Sequence, residues 1–167
     1  MKQYINEIII DNEYITIDEI DASYTVIRRV VNRLNYFAFI ITLHSDIKIS
    51  NYPTIFKIEE AVIKHLRKEI PLTNRQSTSV IAIFEFESKV SFLPDLRNLN
   101  TSENIKANIE KEYIVNLVGA IAIFHHNEKI NTFKQIFNTL LHGTNLHVAK
   151  NLEEAISIWS SFIEGIQ

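Results

Sequence analysis

Three polar side chains stand where predicted strands end, and they could carry chemistry. Asp95 ends one predicted strand, and His125 and His126 follow the most apolar one. Open α/β sheets bind ligands beyond the carboxyl ends of their strands. Asp95 could therefore act as a base, or bind a ligand hydroxyl, together with His125 or His126. The alternative is structural: Asp95 pairs with Arg97 or caps a turn.

The two adjacent histidines are poorly arranged for a shared metal. Neighbouring strand residues point to opposite faces, so His125 and His126 cannot bind one ion while the strand continues. A loop conformation would need further ligands, for which the chain offers Glu128, His142 and His147. A zinc site requires three or four converging ligands, and no spacing indicates such a set. The chain also lacks the glycine-rich nucleotide-binding motifs and the Gly-x-Ser-x-Gly nucleophile motif. We therefore expect no metal and no cofactor.

Thr101 and Ser102 are the hydroxyl residues at the start of a predicted helix that runs to about Glu112. A hydroxyl at this position accepts a hydrogen bond from a free backbone N–H and stabilises the helix by about 1 kcal/mol. A helix cap is therefore one interpretation of this pair.

Hydrophobic periodicity predicts the elements of the first half. Apolar residues at i, i+4 and i+8 indicate a helix over 24–34, and a second amphipathic helix is predicted over 54–68. Alternating and β-branched runs indicate strands, with turns at Asp11–Asn12 and at 87–89 joining two of the pairs into hairpins. These strands cover 4–10, 14–20, 36–43, 80–86 and 90–93.

The second half alternates strands and helices, which favours a parallel sheet. Strand 115–124 is almost wholly apolar, as in a strand covered on both faces. A helix follows Asn127, and a short strand covers 146–149. Asn151 caps the last helix, with Glu154 at the reciprocal capping position. The predicted core face of that helix comprises Leu152, Ala155, Ile156, Trp159 and Phe162.

Composition limits the classes of partner. The chain has 167 residues, a formal net charge of −3 and no cysteine, which is compatible with one domain over 1–167 and a cytoplasmic location. Basic residues cluster only at Lys64, Arg67 and Lys68, a pattern typical of a solvated helix face, so no nucleic-acid partner is expected. The longest apolar stretch, 36–43, is far shorter than the ~20 residues of a membrane-spanning helix.

Residues 90–163 resemble the STAS-like group, the fold of the anti-sigma-factor antagonists. The resemblance rests on three stretches, VSFLPDLRNLNTSENIKANI, VGAIAIFHHN and INTFKQIFNTLLHGTNLHVAKNLEEAISIW. It includes a strand ending in Asp-Leu-Arg, an alanine-containing central strand and a final Glu-Glu-Ala helix ending in Trp. It covers a little under half of the chain, and residues 1–89 match less well.

The fold predicted for the chain is α/β and STAS-like, with a mixed, mostly parallel sheet flanked by helices and, from the Asp11–Asn12 turn, an N-terminal β-hairpin. The resemblance implies a non-enzymatic regulatory or protein-interaction module. The expected partner is another protein or a second copy of the chain. In regulatory members an Asp ends a strand, and a phosphorylatable hydroxyl opens the next helix. Asp95, Thr101 and Ser102 occupy those positions here. The family's Asp-Ser-Ser-Gly signature is replaced by residues 100–103, Asn-Thr-Ser-Glu.

Two hypotheses follow. The first is the STAS-like module, with Asp95, Thr101 and Ser102 as candidate phosphoacceptor or ligand-binding residues. The second is a small-molecule-binding protein or enzyme that uses Asp95 with His125 or His126 at the carboxyl edge of the sheet.

Overall fold

The computed structural model describes residues 5–48, 52–71, 78–87, 90–91, 108–113, 115–124 and 146–166. Within these ranges four strands precede the first helix, and two later groups of two strands are each followed by a helix. In chain order they are β1 Glu7–Ile17, β2 Ile20–Val31, β3 Leu34–Leu43, β4 Ile47–Lys48, α1 Tyr52–Glu69, β5 Thr78–Phe86, β6 Val90–Ser91, α2 (108–113), β7 Asn116–Phe124, β8 Leu146–Ala149 and α3 Leu152–Ile166.

The large sheet is mixed, with strand order β1-β2-β3-β5-β7-β8. The first three strands form an antiparallel meander, and β3, β5, β7 and β8 are parallel to one another. The prediction of an α/β fold with a mixed sheet and an N-terminal hairpin is therefore confirmed.

The two turns of the meander differ from the predicted one. Asp18 and Glu19 join β1 to β2, and Asn32 and Arg33 join β2 to β3, each residue having a positive φ of 50–67°. Positive φ at both central residues is the pattern of the type I′ hairpin turn. The predicted turn at Asp11–Asn12 is wrong, because β1 continues through it with irregular pairing to β2. Asn12 has the positive φ expected of a turn residue, 45°, but within the strand.

The helix predicted over 24–34 is also wrong, because these residues form most of β2, the second turn and the start of β3. Val26, Ile27, Val30 and Val31 satisfy a helical spacing, but their side chains are β-branched and pack well on a pleated surface. Pairing on both sides, with β1 and with β3, outweighs the weak helical pattern.

The predictions for the parallel half of the sheet are mostly confirmed. β3, β5, β7 and β8 match the predicted strands within a few residues, and α1 matches the predicted helix. The hairpin predicted between 80–86 and 90–93 is wrong. β6 instead pairs in parallel with β4, as a separate two-stranded sheet.

Alternation along the strands builds a core on each face of the large sheet. On one face, α1 and α2 cover apolar residues that include Val26, Phe37, Phe39 and Phe84. On the other, α3 covers Tyr36, Ala38, Ile81, Ile83, Ile121 and Ile123. The aromatic residues at 36, 37 and 39 are therefore core residues, as predicted.

Helix α3 begins with the predicted cap. The Glu154 N–H donates to Asn151 Oδ1 at 2.8 Å, and Glu154 Oε2 accepts from the Lys150 N–H at 3.3 Å. The buried face of the helix is Ala155, Trp159 and Ile163. The placement of Leu152 on that face is wrong, because its side chain is exposed.

Arg29 of β2 joins the sheet to α3. Its guanidinium lies 4.4 Å from the ring centroid of Trp159 and donates to Ser160 Oγ at 2.6 Å and to Asn6 Oδ1 at 2.5 Å. Arg29 is itself buried, so its charge is compensated by these contacts rather than by bulk water. Neither α1 nor α3, nor any other helix in the described ranges, has an apolar stretch of the length that crossing a bilayer requires.

Candidate functional site

The residues predicted to act at the carboxyl edge fall outside the part of the chain that the structure describes. These are Asp95, Thr101, Ser102, His125 and His126, together with Glu128 and His142. The hypotheses built on them stay predictions. His147 is described: it lies exposed on β8. Within the described ranges, no group of three histidines or carboxylates could hold a metal ion.

The carboxyl edge nevertheless carries polar groups that hydrogen-bond to one another. They are Ser23 in β2, His44 directly after β3, and Glu87 directly after β5. Ser23 lies opposite Thr42 in the antiparallel pair, so His44 is its diagonal neighbour on the same face. β3 and β5 are parallel, with Leu43 beside Phe86, which brings His44 beside Glu87. The strand register thus assembles three residues that are distant in sequence.

The three side chains form one hydrogen-bonded series. Ser23 Oγ lies 2.9 Å from His44 Nε2, and His44 Nδ1 lies 2.7 Å from Glu87 Oε2. An ionised carboxylate can only accept, so the Nδ1–H of His44 donates a hydrogen bond to Glu87 Oε2. In the neutral imidazole Nε2 is then an acceptor, and the Ser23 hydroxyl donates to it. The carboxylate therefore fixes the tautomer and the orientation of the ring.

Exposure changes along the series. The Ser23 residue is 7% exposed, whereas 33% of the His44 side chain and 50% of the Glu87 side chain are accessible. Tyr14 of β1 stacks on the imidazole with a centroid separation of 6.4 Å and is itself 75% exposed. The site therefore runs from a buried hydroxyl to a solvated carboxylate, beside an exposed aromatic ring.

Backbone hydrogen bonds hold the site residues in place. The His44 N–H donates to the Asp21 carbonyl at 2.8 Å, and the Glu87 N–H donates to the Leu43 carbonyl at 3.2 Å. The Asp21 N–H donates to Ser45 Oγ at 2.9 Å. These bonds extend the strand pairing past the ends of β3 and β5, so His44 and Glu87 are positioned by main chain as well as by side chain.

Sequence reasoning missed this site, although part of the signal was present. His44 directly follows the buried run 36–43, and Glu87 follows 80–86, in the same way that His125 follows its strand. Ser23 carried no such signal, because a helix was predicted from residue 24 onward. Without the pairing of β2 with β3, nothing placed Ser23 beside His44.

A second polar cluster joins the first hairpin turn to α1. Asp18 Oδ2 accepts from Thr54 Oγ1 at 2.9 Å and from Lys57 Nζ at 3.0 Å. These hydrogen bonds, the one from Lys57 foremost, lower the pKa of Asp18 below its ordinary value. Because all three residues contribute to holding the helix on the sheet, we interpret this cluster as structural.

The basic residues of α1 have no organised site around them. Lys64, Arg67 and Lys68 are exposed, and Lys64 lies 3.8 Å from Glu60 one turn earlier. Arg67 lies over the Tyr113 ring at 5.8 Å. The exposure of these side chains agrees with the predicted solvated helix face.

Comparison of the chain with protein-family models, with curated proteins and with solved structures finds no match.

Proposed function

We propose that the chain is a STAS-like regulatory or protein-interaction module, which acts by binding a partner rather than by turnover. The observation that carries this proposal is the arrangement of the second half. There β7, the short strand β8 and the final helix α3 follow one another as the sequence resemblance implies. The Glu-Glu-Ala segment opens α3, and its Trp159 is buried against the sheet.

The rest of the fold is compatible with the same proposal. An antiparallel hairpin precedes the parallel strands, and helices cover both faces of the mixed sheet, as in the fold predicted for the chain. The described part of α2 ends where the helix after Thr101 and Ser102 was predicted to end, near Glu112.

In this proposal, the functional surface lies at the carboxyl edge of the sheet. The sequence predicts Asp95 at the end of a strand, and in this proposal Thr101 or Ser102 is the phosphoacceptor that changes affinity for the partner. A phosphate at a helix start is stabilised by the helix dipole and by free backbone N–H groups. The partner is another protein or a second copy of the chain. A cytoplasmic location suits a chain with no cysteine.

Native mass spectrometry of the full chain, purified from its own host with phosphatase inhibitors present, tests the proposal. A mass increment of one phosphate that maps to Thr101 or Ser102, and that is lost in the Thr101→Ala or Ser102→Ala variant, would support it. A bound metabolite or metal ion would instead favour a small-molecule-binding protein or enzyme, for which Asp95 with His125 or His126 is the candidate site. An unmodified monomer would contradict phosphoregulation.

A further inference from the structure

We propose that Ser23 is a nucleophile, activated by His44 and Glu87, that takes a small acyl group from an activated carboxylic ester. The proposal goes beyond partner binding and uses residues that the proposed regulatory surface does not. It rests on the hydroxyl–imidazole–carboxylate series at the carboxyl edge, with separations of 2.9 Å and 2.7 Å.

The series has the order that hydroxyl activation needs. A serine hydroxyl is a weak nucleophile unless a base removes its proton, and the base must itself be oriented by a third group. His44 Nε2 faces the hydroxyl, and Nδ1 faces the carboxylate. Glu87 thus directs the basic nitrogen at Ser23 and stabilises the imidazolium that forms when the proton moves.

Backbone hydrogen bonds of the sheet hold this geometry. Ser23 lies within β2, and the backbone N–H groups of His44 and Glu87 pair with neighbouring strands. Groups positioned by sheet pairing vary less in position than groups carried by loops, which is what proton transfer across about 3 Å requires.

Burial limits the size of the acyl group. The low exposure of Ser23, 7%, favours a small acyl group such as acetyl over a larger one. The exposed Tyr14 ring beside His44 offers an apolar surface on which the leaving alcohol can lie. An ester with a small acyl part and a flat aromatic alcohol fits both features.

The step balances as an acyl transfer. Ser23 Oγ forms a bond to the ester carbonyl carbon while its proton moves to His44 Nε2. The carbon–oxygen bond to the leaving alcohol then breaks, and His44 returns the proton to that alcohol. The products are acyl-Ser23 and the free alcohol, with no oxidation or reduction.

A second hydroxyl–histidine contact in the chain provides a control. Tyr24 Oη lies 2.7 Å from His65 Nδ1, but His65 Nε2 is 3.6 Å from Glu69 Oε1, beyond hydrogen-bond distance. Tyr24 belongs to the core on the opposite face, and burial raises the pKa of its hydroxyl. This pair is therefore not activated in the same way.

The test is acetylation of the full chain by p-nitrophenyl acetate, followed by nitrophenolate release and by peptide mapping. The expected result is one acetyl group on Ser23, absent in Ser23→Ala. His44→Gln should lower the rate of Ser23 acetylation about 10²- to 10⁴-fold, the range of general base catalysis. Glu87→Gln should lower it less, because it keeps a hydrogen-bond acceptor and loses only the charge.

A matched variant should leave the rate of Ser23 acetylation unchanged. His65→Gln removes the histidine of the other hydroxyl–histidine contact, which lies outside the Ser23 site. An unmodified Ser23, or an equal rate in His44→Gln, would overturn the proposal. If Ser23→Ala does not fold, two measurements still test the proposal. One is the identity of the acetylated residue in the unaltered chain, and the other is the rate of Ser23 acetylation in Glu87→Gln. Neither readout depends on Thr101 or Ser102.

Discussion

The buried tyrosine hydroxyls differ in what they contact. Tyr113 donates to Glu60 Oε1 at 2.7 Å, whereas the Tyr36 hydroxyl has no hydrogen-bond partner among the described residues. Burial raises the pKa of both phenols, and the hydrogen bond to Glu60 raises that of Tyr113 further. A buried hydroxyl without a partner has given up its hydrogen bonds to water and makes none in the protein. Removing the hydroxyl should therefore affect the free energy of unfolding differently at Tyr36 and at Tyr113.

Tyr36→Phe is expected to leave the free energy of unfolding unchanged or to raise it by about 1 kcal/mol, because it removes a buried hydroxyl that no described residue hydrogen-bonds. Tyr113→Phe is expected to lower it by about 1.5–3 kcal/mol, the range for a hydrogen bond to a charged group. Urea unfolding of the two variants beside the unaltered chain measures both. A loss of stability in Tyr36→Phe would show that its hydroxyl has a partner.

For single residues, the sequence predicted which side chains are buried better than it predicted which side chains contact one another. Tyr36, Phe37 and Trp159 were expected in the core because their neighbours are apolar at strand or helix spacing, and they are buried. The contact between Ser23 and His44 was not predicted. It depends on strand register, and single residues carry no information about which strand lies beside them.

The junction between the first hairpin turn and α1 shows how elements are tied together. Asp18 has a positive φ in the turn, and its carboxylate reaches Thr54 and Lys57 in the first turns of the helix. Its lowered pKa means that the ionised form is favoured in the folded protein. About half of the Asp18 side chain is exposed, so water screens its ion pair with Lys57 and the contribution to stability is small.

Asp18→Asn should lower the unfolding midpoint at pH 7, and the difference from the unaltered chain should disappear once the pH falls below the folded-state pKa of Asp18. A carboxyl group whose pKa is lower in the folded state stabilises the fold above its unfolded pKa of about 3.9, and the gain disappears as the pH falls through the folded value. Thermal unfolding of both proteins across this pH range tests the sign. A difference that persists in acid would assign the effect to the turn rather than to the charge.

The hairpin turns could not be read from the sequence because their residues are unusual. Two-residue turns with positive φ favour Asn-Gly or Asp-Gly, but this chain has only three glycines and places Asp18-Glu19 and Asn32-Arg33 there. Asp11-Asn12 has a more typical turn sequence than either of these pairs. Asn12 does have a positive φ, but it lies inside β1 and donates its N–H to Thr25 Oγ1. The helix α1 was predicted because its apolar stripe is long and regular.

The large sheet lies between two helical layers, and α3 is the described element that covers its second face. Trp159 is 2% exposed and meets the Arg29 guanidinium, which links residues 130 positions apart in the chain. The parallel half of this arrangement could be predicted, because strands covered on both faces are continuous apolar runs. The antiparallel half could not, because β2 has apolar side chains on both faces, Val26 on one and Ile27 on the other, so its sequence does not alternate clearly.

Trp159→Ala is expected to lower the free energy of unfolding by about 3–5 kcal/mol, as for other buried aromatic side chains. The variant removes core packing and also leaves the Arg29 charge without its ring. Phe162→Ala, at a half-buried position on the same helix, is the matched control and should cost less. Denaturant unfolding compares the two, and equal losses would contradict the central position of Trp159.

The strand order has a consequence for biosynthesis. Each strand of the large sheet lies beside the large-sheet strand made just before it, so a nascent chain can add strands one at a time to a finished edge. The contact between Arg29 and Trp159 forms late, because Arg29 is synthesised more than a hundred residues before Trp159. During synthesis the partly built sheet therefore presents an open edge and a face without α3, which are the surfaces on which a chaperone would act.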